Sequence, residues 1–394
     1  MAWRGCFLRW TKGDMLISTT RGNRSPFYCE QTRGFRKAPK KTEAKKEDVE
    51  DARLKQSELI EGGTSKKGME PPVLPSPPRS FGRLVKPLVF TLGFTGCSFG
   101  TAAIWQYESV KSRVQSYVDE ARAEWLEKLR PQKQDGAQNQ NEDDTAHWHR
   151  WWSRLSDFQK QAIVVLFQVN QWWENLTQGQ RTVSGIIAVN VLVFCCWRIP
   201  PLQRTMVKYF TSDPASKAPC LPMILSTFSH YSFLHMAANM YVLWSFSSSI
   251  VSLLGPEQFM AAYLSAGVVS TLVSYAAKTG SGRFGPSLGA SGAIMAVLAA
   301  VCTKMPEAKL GIIFLPMFTF SAGNALKAIV AMDTAGVVLG WRIFDHAAHL
   351  GGALFGVWYI AYGHKLIWKN REPLVKMWHD LRTNGPGGGG AGAV

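Results

Sequence analysis

The sequence lacks the cysteine patterns that hold small secreted folds or structural zinc sites together. Its seven cysteines contain no C-x-x-C pair, and four of them lie within apolar runs, where a thiol behaves as a small hydrophobic group. An H-E-x-x-H metal motif is also missing from the sequence. We therefore predict no disulfide framework, no metal site and no cofactor.

Charge is scarce between Val183 and Tyr362, although the whole chain carries a net charge of +16. Long runs without charge are typical of segments that lie in lipid. The basic residues cluster at the N-terminus and beside apolar runs, and no nucleic-acid-binding motif accompanies them. The excess of positive charge therefore indicates a membrane protein with a basic leader and basic loops, and not a nucleic-acid-binding protein.

The N-terminus has no apolar stretch of the kind that a secretory signal peptide needs. Ten basic residues and only two acidic ones lie between Met1 and Lys41, with frequent serine and threonine. This composition predicts a mitochondrial presequence over residues 1–50, and a disordered basic tail is the alternative. Residues 51–83 are polar and proline-rich, which predicts a disordered linker.

Seven apolar segments predict an all-α membrane protein. Pro87–Tyr107 carries no charge and would reach about 31 Å as a helix, so residues 84–107 should form an extra N-terminal transmembrane helix. Residues 108–181 are charged and amphipathic, which predicts a soluble loop. Residues 182–367 should form a core of six transmembrane helices, followed by a tail over residues 368–394. The six core segments are Thr182–Trp197, His235–Leu254, Gln258–Ala277, Ser291–Thr303, a span within 322–340, and Ala347–Gly363.

The loop over residues 108–181 contains a short repeat. Its residues 151–159 and 172–180 both begin with a tryptophan pair and continue with a leucine, a hydroxyl residue and a glutamine at matching positions. A local duplication and chance are both open as its origin. The tryptophan pairs would suit a membrane surface.

Ser291 stands where loop residues give way to an apolar helix, in the segment Gly289-Ala290-Ser291-Gly292. A helix N-terminus offers unpaired N–H groups and the positive end of the helix dipole, which suit a nucleophile whose reaction develops an oxyanion. Gly292 leaves the helix surface bare for close packing. The alternative is a packing motif in which Ser291 only caps the helix.

His349 lies inside the last apolar segment, one turn before a Gly352-x-x-x-Gly356 step. An ionisable group within a membrane span is costly and is a functional candidate. An imidazole can take a proton from a serine and return it to a leaving amine. The alternative is a structural histidine bonded to a backbone carbonyl.

His235 and Asn239 are four residues apart and therefore lie on one helix face. An imidazole N–H beside a carboxamide N–H suits an oxyanion hole. Hydrogen bonding between membrane helices is the alternative use for such a pair.

The three motifs occur in a set order: His235-x-x-x-Asn239, then Gly289-x-Ser291-Gly292, then Ala348-His349-x-x-Gly352. This ordered set resembles the rhomboid family of intramembrane serine proteases. The resemblance implies that Ser291 is the nucleophile and His349 the general base, in a dyad without a third carboxylate. It also implies that His235, Asn239 and the Ser291 backbone N–H bind the oxyanion, while Gly289, Gly292, Gly352 and Gly356 allow close helix packing at the site.

The extra first span and the basic presequence narrow the resemblance to rhomboids of the mitochondrial inner membrane. The implied substrates are single-pass transmembrane proteins, cleaved in mitochondrial processing and quality control within the lipid bilayer. An oligomer and inner-membrane scaffold partners stay open. A basic loop over residues 198–234 places that side in the matrix, so we expect a matrix N-terminus, an intermembrane-space C-terminus and an active site that opens to the matrix.

Several residues and functions compete with this interpretation. Asp345 precedes His349 by four residues, but a loop aspartate beside Arg342 is expected to be a solvated charge. Asp333 could pair with Lys327, snorkel to the interface or influence gating. His346 and His349, or His230 and His235, could hold a metal. A non-catalytic rhomboid-like protein that binds transmembrane clients and a transporter are the competing functions.

Overall fold

The computed structural model describes residues 80–129, 147, 149–312 and 315–384. The predicted presequence over residues 1–50, and the predicted linker as far as residue 79, lie outside these residues. The described chain is a helical bundle with one small β-hairpin, so the prediction of an all-α membrane protein is confirmed apart from that hairpin.

Eleven named α-helices of the described chain are labelled here in chain order. They are α1 Val85–Leu129, α2 Asp157–Asn175, α3 Gln178–Cys196, α4 Gln203–Tyr209, α5 Cys220–Leu225, α6 Phe233–Leu254, α7 Pro256–Ser281, α8 Ser291–Lys304, α9 Ala322–Leu339, α10 His346–Trp358 and α11 Glu372–Asn384. Short 3₁₀ turns cover Phe81–Leu84, Pro200–Leu202 and Ser226–Phe228, and a π-helix over Tyr359–Trp368 continues α10. Residues 149–154 are also helical.

Five of the described helices are long and apolar enough to cross a bilayer by length and composition. They are Phe81–Leu129, Gln178–Cys196, Phe233–Leu254, Pro256–Ser281 and Ala322–Leu339. The apolar helix α8 has 14 residues, and α10 has 13 before its π-helical continuation. The predicted arrangement of one plus six spans therefore stays a prediction.

Helix α1 is longer than the predicted span because its 45 residues continue to Leu129. The segment after Tyr107 contains no proline or glycine and is rich in residues with high helix propensity, so nothing ends the helix at the membrane boundary. At about 1.5 Å per residue the helix reaches roughly 67 Å, about twice the apolar thickness of a bilayer. The start of the predicted soluble loop is therefore helical. At the other end of the chain, part of the predicted tail forms α11, whose Arg382 pairs with Glu108 of α1 at 2.6 Å.

The tryptophan repeat corresponds to two similar helix junctions. Ser156 begins α2 and Thr177 begins α3, and each caps its helix with a complete capping box. The glutamine three residues later, Gln159 or Gln180, accepts a hydrogen bond from the backbone N–H of the capping residue. Each copy of the repeat therefore ends one helical segment and starts the next.

Helix α7 lies at the centre of the bundle. In its apolar window 61% of the residues are buried, against 22% in the window of α9. A single glycine, Gly255 at φ 80°, joins α6 to α7, and Gly282 at φ 68° ends α7 in the left-handed conformation. The main apolar core packs α7 against side chains of its neighbours, among them Phe99 of α1 and Leu243 of α6.

The hairpin lies between α8 and α9 and pairs β1, Lys309–Ile312, with β2, Leu315–Ser321, in antiparallel register. Ser321 then caps α9 by accepting a hydrogen bond from the Asn324 backbone N–H. The predicted span within 322–340 agrees with this cap, but the two strands were not predicted. Strand alternation over seven residues is hard to distinguish from a short apolar run.

Candidate active site

Ser291 is the first residue of α8, at the end of a loop that other parts of the chain hold in place. Ser212 and Ser287 exchange two backbone hydrogen bonds of 2.8 and 2.9 Å. The Gly289 backbone N–H donates to the Ser226 carbonyl at 3.0 Å. The loop therefore delivers Ser291 to the helix start, where free backbone N–H groups point out of the first turn.

His349 reaches Ser291 from α10. Its Nε2 lies 2.8 Å from the Ser291 Oγ, which is hydrogen-bond distance for a hydroxyl and an imidazole. His349 is 8% exposed, so its imidazole is largely shielded from solvent by the protein itself, whereas Ser291 is partly exposed. Two of the predicted site residues, 58 positions apart in the chain, are thus in direct contact.

Glycines allow α8 and α10 to approach closely enough for this contact. A Cβ on Gly352 would lie 1.9 Å from the Gly292 carbonyl oxygen, and one on Gly356 would lie 2.2 Å from the Ala296 carbonyl oxygen. Real Cβ atoms do not approach other atoms below 3.0 Å. The two helices therefore pack backbone against backbone one turn beyond the Ser291–His349 pair.

Gly289 lies close to both His235 and Ser291. Its φ of 134° is a conformation that side chains strongly disfavour, and a Cβ there would lie 3.0 Å from the His235 Cε1. The same point lies 3.8 Å from the Ser291 Oγ. His235 and the Ser291 hydroxyl therefore lie close to the same point beside Gly289, as an oxyanion ligand and a nucleophile would need to do.

Asn239 lies one turn after His235 on α6 and is 8% exposed. Its Nδ2 donates to the His235 carbonyl oxygen at 2.9 Å. A carboxamide has two N–H donors, so one remains for another acceptor. The structure thus brings four of the predicted residues to one end of α6, α8 and α10.

His230 is a structural residue of the site that the sequence analysis considers only as a metal ligand. It is fully buried, and its Nε2 accepts a hydrogen bond of 3.4 Å from the Ala290 backbone N–H. Burial, and then the neighbouring His235, lower the pKa of His230 to about 3, so it is neutral and able to accept at physiological pH. The sequence signal that could have indicated a role for His230 at the site is its position five residues before His235.

Asp345 is not the solvated charge that the sequence predicts. Its side chain is 18% exposed, pairs with Lys278 at 3.0 Å and accepts a hydrogen bond of 2.6 Å from Ser274. It also caps α10 through the Ala348 backbone N–H. Burial acts to raise the pKa of Asp345, but the Lys278 charge and these hydrogen bonds outweigh it and lower the pKa below its ordinary value. The prediction was wrong because Lys278 belongs to α7, far away in the sequence.

Asp333 lies on the other side of His349 from Ser291. The carboxylate is completely buried, and its Oδ1 lies 2.7 Å from the His346 Nδ1 and 3.4 Å from the His349 Nδ1. Asp333 therefore contacts two imidazoles and not Lys327, the partner that one of the sequence alternatives gave it. Among the residues that the structure describes, Asp333, His346 and His349 form a group whose ligand atoms lie close enough together to hold a metal ion. The 2.7 Å separation is a hydrogen-bond length, shorter than the roughly 3.3 Å between two ligands of tetrahedral zinc.

The arrangement has the parts of a serine hydrolase: a hydroxyl at a helix N-terminus, an imidazole that accepts from it, and further donors beside it. The site lies at the N-terminal ends of α6, which is long and apolar enough to cross a membrane, of the shorter apolar helix α8, and of α10.

Comparison with known proteins finds a Rhomboid domain over residues 219–366, a range that contains all the predicted site residues. The chain is 58% identical over 398 residues to presenilin-associated rhomboid-like protein A, mitochondrial, of Danio rerio, which covers 99% of this chain and 100% of the relative. It is 62% identical over 371 residues to the presenilin-associated rhomboid-like protein, mitochondrial, of Homo sapiens, which covers 94% of this chain and 89% of the relative. Rhomboid protein 1, mitochondrial, of Saccharomyces cerevisiae is 36% identical over 198 residues, which is 50% of this chain and 57% of that protein.

Proposed function

The chain belongs to the rhomboid family, and we propose that it cleaves transmembrane segments of membrane-anchored proteins with a Ser291–His349 dyad. The observation that carries this proposal is the 2.8 Å contact between the Ser291 Oγ and the His349 Nε2 at the start of α8. Family membership supports intramembrane proteolysis as the general activity.

In the proposed reaction the Ser291 Oγ attacks the scissile carbonyl carbon while His349 takes the hydroxyl proton on Nε2. The Ser291 backbone N–H, His235 and the free N–H of Asn239 would stabilise the oxyanion of the tetrahedral intermediate. His349 then gives the proton to the leaving amine, which breaks the peptide bond and leaves an acyl-enzyme. Water, deprotonated by His349, hydrolyses the ester and regenerates Ser291.

The substrate must present an unwound peptide bond, because the carbonyls of an intact transmembrane helix are already hydrogen-bonded. We therefore propose single-pass membrane proteins whose spans contain small or helix-breaking residues near the cleaved bond. These substrates would enter the site laterally from the bilayer. No cofactor takes part in this scheme, and its products would serve mitochondrial processing and quality control.

The chain is a multi-pass mitochondrial membrane protein. We propose the inner membrane as its location, with residues 1–50 as a cleaved presequence, the N-terminus in the matrix and the C-terminus in the intermembrane space. Arg198, Arg204, Lys208 and Lys217 lie in the loop between α3 and α6 and support a matrix location for that side. The active site would then open toward the matrix.

The experiment is cleavage of a transmembrane reporter by the purified chain in proteoliposomes. Wild-type protein should release a fragment whose new terminus lies within the reporter's span, and Ser291→Ala should release none. Ser247→Ala is the matched control, because Ser247 is a buried serine whose Oγ donates to the carbonyl of its own helix at Trp244, two turns beyond Asn239.

Equal cleavage by wild type and Ser291→Ala would disprove the dyad. Stable binding of the uncut reporter by a folded wild-type protein would instead identify a non-catalytic protein that holds transmembrane clients. Loss of activity in Ser247→Ala would show that the assay reports general damage to the bundle.

A further inference from the structure

Asp333 is a charge that the proposed dyad does not use. It lies in the second half of α9, within one of the helices that could cross a membrane, and its side chain is completely buried. An isolated carboxylate at such a place is strongly unfavourable unless donors face it. The donors that the structure provides are the imidazoles of His346 and His349 on α10.

The two imidazoles face the same oxygen atom of Asp333. His346 Nδ1 lies 2.7 Å from Oδ1, and His349 Nδ1 lies 3.4 Å from it. Within the described chain, Asp333 Oδ2, His346 Nε2 and His349 Nδ1 have no hydrogen-bond partner. The carboxylate is therefore hydrogen-bonded to His346, while His349 Nδ1 faces the same oxygen at a separation longer than the 2.7–2.9 Å of a charge-assisted hydrogen bond.

Close helix packing builds this cluster. A Cβ on Gly336, one turn after Asp333, would lie 2.4 Å from the His346 Cγ, so the imidazole occupies the space above a glycine of α9. Phe344 lies beside both imidazoles, with ring centroids 6.1 Å from each. The His346 ring is thus confined between α9 and Phe344, and Phe344 also lies beside the His349 ring.

The carboxylate determines which nitrogen of His349 carries the proton. An anionic oxygen beside Nδ1 favours the tautomer with hydrogen on Nδ1, since a bare nitrogen lone pair there would be repelled. The Nε2 then has a free lone pair directed at the Ser291 hydroxyl, 2.8 Å away. This is the tautomer that a general base requires.

We propose that Asp333 is a positioning residue that holds His349 in its catalytic tautomer and balances the imidazolium charge formed when Ser291 is deprotonated. The inference rests on the proposed function of the Ser291–His349 pair. Asp333 itself takes no proton in the reaction. His346 donates from Nδ1 to the same oxygen and thereby fixes the carboxylate on α9.

Other groups also influence His349 and must be accounted for in any measurement against pH. Two groups face the His349 ring directly: the Ser291 hydroxyl of α8 and the Asp333 carboxylate of α9. The other titratable groups nearby are His346 of α10, His235 of α6, and the Lys278–Asp345 pair between α7 and α10.

The test is Asp333→Asn in the full chain, measured by reporter cleavage in proteoliposomes from pH 5 to pH 9. We expect kcat to fall at least thirtyfold with KM within twofold, because an amide facing Nδ1 can stabilise the wrong tautomer of His349. In serine proteases whose aspartate is hydrogen-bonded to the catalytic histidine, the same change lowers kcat by about 10⁴-fold. The acidic limb of kcat/KM should move to lower pH, since the imidazolium loses its counter-charge. A purely structural role would lower activity without moving that limb.

Asp345→Asn is the matched control. It removes a partly buried carboxylate four residues before His349, but asparagine caps a helix as well as aspartate does. Because Asp345 pairs with Lys278 and makes no direct contact with His349, the acidic limb should move less in this variant than in Asp333→Asn. Asp333→Glu, which keeps the charge, should retain the wild-type limb even if its kcat is lower.

His346→Leu provides a second, independent direction of change. With the competing donor gone, Asp333 would face His349 alone, and the acidic limb should move to higher pH. If Asp333→Asn does not fold, this variant decides the question alone. Wild-type kcat and an unmoved limb in Asp333→Asn, or an unmoved limb in His346→Leu, would overturn the proposal while leaving an active wild type and the Ser291–His349 pair intact.

Discussion

Replacing Gly352 by alanine tests whether the close approach of α8 and α10 sets the Ser291–His349 distance. The new Cβ would lie 1.9 Å from the Gly292 carbonyl oxygen, and separations below 3.0 Å essentially never occur, so the two helices must move apart by roughly 1 Å. The Ser291–His349 contact of 2.8 Å would then lengthen to roughly 4 Å, beyond hydrogen-bond distance. A misplacement of about 1 Å lowers a catalytic rate by about 100-fold.

We expect Gly352→Ala to reduce kcat for reporter cleavage by about 100-fold and stability by about 1–3 kcal/mol, the usual cost of overpacking. Thermal unfolding in detergent measures the stability, and proteoliposome cleavage measures the rate. Gly185→Ala is the matched control, because a Cβ on Gly185 of α3 would meet no atom within 4 Å. That variant should keep its activity and gain up to about 1 kcal/mol from helix propensity. Wild-type activity in Gly352→Ala would refute the reasoning.

Two further substitutions probe the loop before α8 and the cap of α10. Gly289→Ala should destabilise the protein by about 1–3 kcal/mol and reduce cleavage more than 10-fold. The φ of 134° at this position is strained for alanine, and the new Cβ would meet His235 at 3.0 Å. Normal cleavage by this variant would contradict the proximity of His235 to the serine. Asp345→Ala should destabilise the protein by about 1–2 kcal/mol at neutral pH through loss of its cap. Although burial acts to raise the pKa of Asp345, Lys278 and its hydrogen bonds lower it, so its ionised form contributes stability above the ordinary pKa of 3.8 and loses that contribution as the pH falls below it. Thermal unfolding of the wild type and of Asp345→Ala from pH 3 to pH 7 should therefore show that their difference in stability shrinks in acid. A difference that stays constant with pH would show that the charge of Asp345 does not contribute to stability.

Local sequence signals were sufficient for the residues that contact each other at the site. Ser291 follows a glycine- and proline-containing segment and precedes an apolar run, so its position at a helix start could be predicted from neighbours in the chain. His349 could be assigned to the same seam because the glycine at Gly352 marks a face that admits another helix. The ordering of the motifs supplied the rest, through the resemblance to rhomboids.

The carboxylates could not be assigned in this way, because their partners come from distant parts of the chain. Asp345 pairs with Lys278, which lies on α7, 67 positions earlier. Asp333 reaches His346 and His349 only because the chain reverses direction between α9 and α10 and Gly336 admits the His346 ring. A single sequence records neither the reversal nor the rotation of each helix about its axis. The helix starts in the tryptophan repeat are different, because a capping box involves residues only three positions apart. The spacing of the hydroxyl residue and the glutamine in each copy is enough to predict such a helix start from the sequence.

The most direct test of the central claim is reaction of the detergent-solubilised chain with a fluorophosphonate probe, followed by peptide mapping of the adduct. We expect one adduct, on the Ser291 Oγ, that is absent from Ser291→Ala and strongly reduced in His349→Ala, because the hydroxyl is unreactive without its base. An adduct on another residue, or unchanged labelling of His349→Ala, would contradict the assignment of Ser291 and His349 as nucleophile and base.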